Sequence, residues 1–266
     1  MDRVALAMRD LERLPPPPRR PVQWRRAWRQ IELMHEGKPE HVLDAAYGIK
    51  DALGGMTDER LLRRMLREPV GRELLATRPD LPALLSDHER LAAMPEGSFG
   101  RAYLAFAKRH GLNAEKLVES EHRMSRDFGH LDPVRQWMSD RLTVLHDLWH
   151  VLSGYDAVSP GESAIICFSI PQGLTYRPMP IFVVMLLLAR QLSPRRAWEA
   201  YRRGRRAAFL VAQPYEELLP RPLDEVRHAL RLPPPALDHA GAVPDGMLIP
   251  SPILPARARG ERTSIR

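Results

Sequence analysis

From Thr57 onward, apolar residues return every three or four positions. Leu61, Leu62, Met65 and Leu66 follow Thr57; Tyr103, Leu104 and Phe106 follow Ser98; Leu223, Val226 and Leu230 follow Pro222. That spacing lines one face of a helix with 3.6 residues per turn. Ser98, Thr57 and Ser193 are placed as helix caps, and Pro194 suits the first turn after Ser193. The Ser193 helix is expected to run past Trp198 and Tyr201 to about Val211. Alternating β-branched runs are nearly absent and no repeat recurs at a fixed period. The pattern predicts an all-α, single-domain helical bundle over residues 22–232. Pro15 to Pro18, then Arg19, Arg20 and Pro21, break the pattern at one end, and a Pro-, Ala- and Arg-rich stretch follows Pro233 at the other. Such segments bury too little apolar surface to offset the entropy of ordering, so residues 1–21 and 233–266 are expected to be disordered.

The chain has 266 residues, 44% of them hydrophobic, and a formal charge of +7. The only lysines are Lys38, Lys50, Lys108 and Lys116, so the basic character is arginine. Arg202, Arg203, Arg205 and Arg206, beside Trp198 and Tyr201, suit either a solvated helix face or anionic lipid headgroups. Nucleic acid is not expected, because the arginines are not interleaved with stacking aromatics. A single cysteine, Cys167 among Ile165, Ile166 and Phe168, rules out an internal disulfide and reads as a buried, inert thiol. Met1 to Leu14 has no signal-peptide core, and the longest apolar run, Ile181 to Ala189, is too short to span a bilayer. A bacterial-type cytoplasm, with peripheral association at the inner membrane, is therefore expected.

One stretch carries chemistry: His146-Asp147-Leu148-Trp149-His150, then Gly154, Pro160, Gly161 and Glu162. At about 100° per residue, His146 and His150 lie roughly 40° apart, one turn along the same face, with Asp147 inside an arc of about 100°. Gly154 suits a left-handed helix end. A second helix, Glu162 to about Ser169, would bring Glu162 back level with the histidines on a helix-turn-helix hairpin. His146, Asp147, His150 and Glu162 are thus the candidate metal ligands and candidate catalytic residues. The N/O donor set suits Zn²⁺ first, and Fe²⁺ or Mn²⁺ also. A His-x-x-x-His pair alone fits a partly buried pair without metal equally well. The zinc proteases carry Glu where Asp147 stands. A phosphohydrolase site with an adjacent His-Asp pair would need further ligands, roles in which His122, His130 and Asp132 could be cast.

With Glu following the second histidine after eleven residues, His146, Asp147, His150 and Glu162 resemble the hallmark of the coenzyme Q biosynthesis protein four family. Met94-Pro95-Glu96-Gly97-Ser98-Phe99-Gly100-Arg101, Tyr103 and Phe106 look like a second element of that family. Gln172-Gly173-Leu174, Gly204-Arg205-Arg206, Tyr215-Glu216 and Leu223 to Leu230 look like later ones. Thr175-Tyr176-Arg177 intrudes where the family has a shorter turn. The resemblance implies ubiquinone biosynthesis through a carbon–carbon lyase: C1 decarboxylation of a polyprenylated 4-hydroxybenzoate-type ring, with an oxidative variant that hydroxylates C1. It implies His146, His150 and Glu162 as ligands and Asp147 as a ligand or as a base beside them. The implied partners are the polyprenylated aromatic precursor, other ubiquinone-biosynthesis proteins and a membrane surface, with homodimerisation open. Ile181 to Leu188, Phe168 and Ile170 are candidate walls for the prenyl tail. The alternative is a non-catalytic polyprenyl-lipid-binding scaffold that organises the biosynthetic complex.

Overall fold

The computed structural model describes residues 15–18, 21–35, 39–157, 160–174, 179–188, 190 and 192–232; side chains at 34, 35, 39–42, 181, 182 and 185 are not described. The described residues are helical, with no strand and only an isolated antiparallel bridge between Ser98 and Pro222. The 233–266 tail, most of residues 1–21 and the Thr175–Arg177 insertion lie outside the described residues.

The helix α1 (Trp24–His35) pairs with α2 (Pro39–Leu53) as an N-terminal hairpin. Short helices α3 (Thr57–Met65), α4 (Pro69–Thr77), α5 (Leu81–Ser86) and α6 (His88–Ala92) follow, then α7 (Phe99–His110) and α8 (Ala114–Met124). The longest helix is α9 (Pro133–Ser153), packed against α3, α5, α7, α8 and α10 (Gly161–Ser169). Beyond it come α11 (Met179–Leu188), α12 (Pro194–Arg206), α13 (Tyr215–Leu218) and α14 (Leu223–Ala229).

Local chemistry sets most boundaries. Ser98 Oγ accepts from Arg101 N at 3.3 Å, and Ser193 Oγ from Arg196 N at 3.4 Å. Thr57 is not the expected cap. The Gly54-Gly55 turn, with φ of 58° and 105°, delivers Met56 to that position, and Thr57 Oγ1 accepts from Arg60 Nη2 instead. The Ser193 helix stops at Arg206 rather than near Val211; Ala207 turns out of it with ψ 155°, and residues 210–212 form a separate 3₁₀ turn.

The core is one cluster in which Trp149, Leu145, Leu148, Leu152 and Phe168 are sealed from solvent. The N-terminal hairpin is tied on largely by charge. Lys50 pairs with Glu121, Arg126 Nε lies 3.3 Å from Asp51 Oδ2, and Arg123 Nη2 donates to Asp44 Oδ1 at 2.6 Å, while Arg26 and Asp51 pair within the hairpin. The resemblance elements also meet in space. Phe99 N donates to Arg221 O at 2.8 Å, Gly100 N to Leu219 O at 2.7 Å and Leu223 N to Gly97 O at 3.0 Å. Gln172 Nε2 donates to Gly204 O at 2.6 Å, and Trp149 Nε1 to Tyr215 Oη at 3.0 Å.

Candidate metal centre

Helix α9 is fixed at both ends, which fixes the face its histidines present. At the start, Asp132 Oδ1 accepts from Val134 N at 3.1 Å and Arg135 N at 3.2 Å, with Pro133 in the first turn. At the end, Gly154 adopts φ 73° and its N–H caps His150 O. The remaining carbonyls of the last turn are taken by arginines: Arg227 donates to Leu152 O and Val151 O at 3.2 and 3.0 Å, and Arg203 to Ser153 O at 3.0 Å. These are the carbonyls a helix end leaves without intrahelical donors.

One turn apart on this helix, His146 Nε2 and His150 Nε2 face each other at 3.0 Å. Helix α10 returns Glu162 between them, with Oε2 3.5 Å from His146 Nε2 and Oε1 3.4 Å from His150 Nε2. These three residues form the one group of possible metal donors among the described residues, with donor atoms all within 4.8 Å. A tetrahedral ion with bonds of about 2.0–2.1 Å needs donor–donor edges of roughly 3.3–3.4 Å. The observed spacings fit that requirement without rebuilding either helix.

The tautomer of His150 fits as well. Its Nδ1 lies 3.0 Å from Tyr155 O, and a carbonyl can only accept, so Nδ1 carries the hydrogen and Nε2 keeps its lone pair. His150 is buried, whereas His146 and Glu162 are partly open to solvent. Phe106 stacks on the His150 ring, centroids 5.6 Å apart.

Asp147 does not join this group. Adjacent residues diverge by about 100°, and the aspartate interacts electrostatically with Tyr103 and His110 of α7 as well as with the histidines. It is buried, and its Oδ2 has no hydrogen-bond partner. Burial pushes its carboxyl above the usual carboxylate range against the pull of His146 and His150; the Tyr103 phenol is raised by its own burial first and by the Asp147 charge second. Burial also works against ionisation of Glu162, yet the facing imidazoles of His150 and His146 hold its carboxyl well below the ordinary range. Burial disfavours the charged form of His146, and Glu162 outweighs it, raising that ring.

The other sequence candidates lie elsewhere. Asp132 caps the far end of α9, about 21 Å from His146 along the helix axis at 1.5 Å per residue. His122 Nε2 sits 2.6 Å from Asp140 Oδ1 and stacks on Phe128, and His130 lies in a 3₁₀ turn before α9. A phosphohydrolase-type ligand set is therefore not assembled. Phe168 belongs to the core against Trp149 and Tyr155, while Val184 and Leu188 of α11 are exposed. Arg203 is not a surface charge: it braces the end of α9 and lies over the Tyr155 ring. Cys167 is buried, which pushes its thiol up to about 11. A separate cavity of about 370 Å³, lined by Lys50, Asp51, Glu59, Glu121 and Arg135, lies by the N-terminal hairpin.

Two residues at the site have no sequence signature: His110, last in α7, and Asp156, in the turn after Gly154. Both side chains are sealed from solvent, with His110 Nε2 3.0 Å from Asp156 Oδ1. An aspartate within a Gly-bounded turn, ten residues past His146, was the only available hint.

Residues 44–236 match the sequence family described as "Coenzyme Q (ubiquinone) biosynthesis protein Coq4". The mitochondrial COQ4 homolog of Bos taurus is 30% identical over 206 residues, covering 72% of this chain and 73% of its own length. The Danio rerio homolog is 28% identical over 194 residues, 70% of this chain and 68% of its own. That of Nematostella vectensis is 26% identical over 201 residues, 72% and 92% of the two chains. These relatives are named as mitochondrial proteins, which overturns the expectation of a bacterial-type cytoplasm at an inner membrane. Among the described residues, no helix is long and apolar enough to cross a membrane. The helical fold, the order of the matched elements and these relatives agree: the chain belongs to the coenzyme Q (ubiquinone) biosynthesis protein Coq4 family.

Proposed function

We propose that His146, His150 and Glu162 hold a divalent metal ion, Zn²⁺ first and Fe²⁺ or Mn²⁺ as alternatives, and that the protein removes the C1 carboxylate of a polyprenylated 4-hydroxybenzoate-type precursor of ubiquinone. The observation that carries this reading is the spacing of the three donors, 3.0 to 3.5 Å, beside a buried His150 whose Nδ1 is already engaged by Tyr155 O. Membership of a ubiquinone-biosynthesis family supports the substrate class.

The ion would supply a Lewis acid to the substrate's oxygen atoms in an environment of low dielectric. The chain's own residues do the rest. His146 and Glu162, partly open to solvent, mark the side from which a ring can approach. Phe106 and the sealed core residues Leu145 and Trp149 keep water from the other side. Asp147, a buried carboxyl beside His146 with an unpartnered oxygen, is the proposed holder of the proton delivered to C1. With that proton in place, the C1–carboxylate bond breaks, CO₂ leaves, and its bonding electrons return to the ring. An oxidative version, leaving a hydroxyl at C1, requires dioxygen and a reductant.

The test is to incubate metal-loaded full-length chain with the carboxylated precursor, with and without oxygen, and to follow CO₂ and the ring product. CO₂ release that His150→Ala abolishes supports the reading. A loaded, folded protein that releases none overturns it. In cells lacking the native protein, a scaffold would still be functional as His150→Ala, whereas a decarboxylase variant would accumulate the carboxylated precursor.

A further inference from the structure

His150 is aimed by a single backbone carbonyl, that of Tyr155, in the turn that follows α9. The anchor is the next residue. Asp156 Oδ1 accepts from Ala157 N at 2.9 Å, lies 3.0 Å from His110 Nε2 and 3.9 Å from Arg109 Nη1. Its side chain is 2% exposed and that of His110 is 0% exposed, so water does not screen the contact. Asp156 also meets the second ligand-bearing element. A Cβ added to Gly161 would stand 2.1 Å from Asp156 O and 2.8 Å from Asp156 N, so the start of α10 lies directly on the Asp156 backbone. Glu162 is the next residue along. From the other side, α7 supplies Phe106, which stacks on the His150 ring and packs at a tilt of 52° against the His110 ring, centroids 4.7 Å apart.

We infer that Asp156, braced by His110, is a positioning residue that sets both the tautomer of His150 and the placement of Glu162. A buried polar contact is a weak stabiliser, because desolvation offsets most of the attraction, and the orientation of the His110 ring leaves its Nε2 without a formal hydrogen bond. Here it joins three elements at one point: the end of α7, the turn that orients His150 and the first residue of α10. Partners that orient a metal-binding histidine commonly govern affinity as strongly as some ligands do. The consequence for metal binding rests on the metal reading proposed above; the consequence for the His150 ring does not.

The experiment uses the full-length chain, wild type and as Asp156→Ala, Asp156→Asn, His110→Asn and His150→Ala. Zn²⁺ affinity is measured by competition with a chelator, and Co²⁺ loading by its visible spectrum. The tautomers of the histidines in metal-free protein are read by ¹⁵N–¹H correlation of the imidazoles. Asp156→Ala is expected to weaken Zn²⁺ binding by about 10- to 100-fold and to alter the Co²⁺ spectrum, with Asp156→Asn, which keeps an acceptor, restoring most of the loss. Affinity within about threefold of wild type for both Asp156→Ala and His110→Asn, while His150→Ala loses the ion, would overturn the inference, given the size such partners ordinarily show. If wild type itself binds neither ion, the metal reading fails and the ring still decides the inference. Loss of the single Nδ1–H form of His150 in Asp156→Ala upholds it, and an unchanged His150 signal overturns it. Should Asp156→Ala not fold, His110→Asn carries the same two measurements without touching the turn.

Discussion

Gly204 lies inside α12, where helix propensity alone favours alanine by about 1 kcal/mol. The structure predicts the opposite sign. A Cβ at Gly204 would stand 2.0 Å from Phe168 O, 2.9 Å from Phe168 C and 3.1 Å from Pro171 Cγ. Ordinary contact begins at 3.4 Å, so α10 and α12 must part by about 1.4 Å. The same separation stretches the 2.6 Å bond from Gln172 Nε2 to Gly204 O beyond hydrogen-bonding reach. Gln172 is 3% exposed and also receives Leu210 N at 2.9 Å, so its amide has little freedom to follow. Overpacking costs about 1–3 kcal/mol and a buried polar group left unpaired about 1–3 kcal/mol. Against the propensity gain of about 1 kcal/mol, Gly204→Ala is expected to lose about 1–5 kcal/mol, a fall in Tm of roughly 2–20 °C for a domain of this size. The control is Gly129→Ala, whose added Cβ meets nothing within 4 Å and whose φ is not positive. That change is expected to raise stability by about 0.4–1 kcal/mol through the unfolded chain. Calorimetry and urea titration of both variants decide the matter. A Gly204→Ala protein as stable as Gly129→Ala would refute the close approach of α10 and α12.

Three further outcomes are expected. Arg227→Met removes the donors to Leu152 O and Val151 O at the buried end of α9, and urea unfolding should show a loss of about 2–4 kcal/mol; a loss under about 0.5 kcal/mol, the size of an ordinary surface change, would mean those carbonyls have other donors. Asp132→Ala removes the cap of α9 at a cost of about 1 kcal/mol near neutral pH. Burial opposes ionisation of Asp132, but Arg135 and the capped N–H groups hold its carboxyl below the ordinary 3.8. The stability from that shift is complete above 3.8 and drains as pH falls through the lower folded value, so the Tm gap between wild type and Asp132→Ala should narrow below about pH 4. Cys167, buried with a thiol at about 11, should resist iodoacetamide at pH near 8 and be labelled only as fast as the core opens; rapid labelling of native protein would contradict its burial.

The two histidines were legible because a helix of 3.6 residues per turn leaves residues four apart no choice but to share a face. Glu162 was legible because Gly154 can hold φ 73° at a helix end, and the next helix brings its carboxylate within 3.5 Å of both histidines. Spacing puts Asp147 within the same arc, but an arc of about 100° is wide for a side chain with one methylene, and the donors that come within 4.8 Å of one another are those of His146, His150 and Glu162. Thr57 was misplaced by one residue, since the cap is decided by where the glycine turn ends rather than by which residue has a hydroxyl. His110 and Asp156 could not be read at all. Each is a lone polar residue with no period, and what gives them meaning is a contact across distant parts of the chain. The two histidines obey the local geometry of one helix and so leave a spacing in the sequence. The contact of His110 with Asp156 answers only to the packing of α7 on the turn after α9. The part of this site least visible in sequence is therefore the His110–Asp156 contact, and if the proposed metal binds, a relative that keeps His146, His150 and Glu162 but loses Asp156 should hold it more weakly.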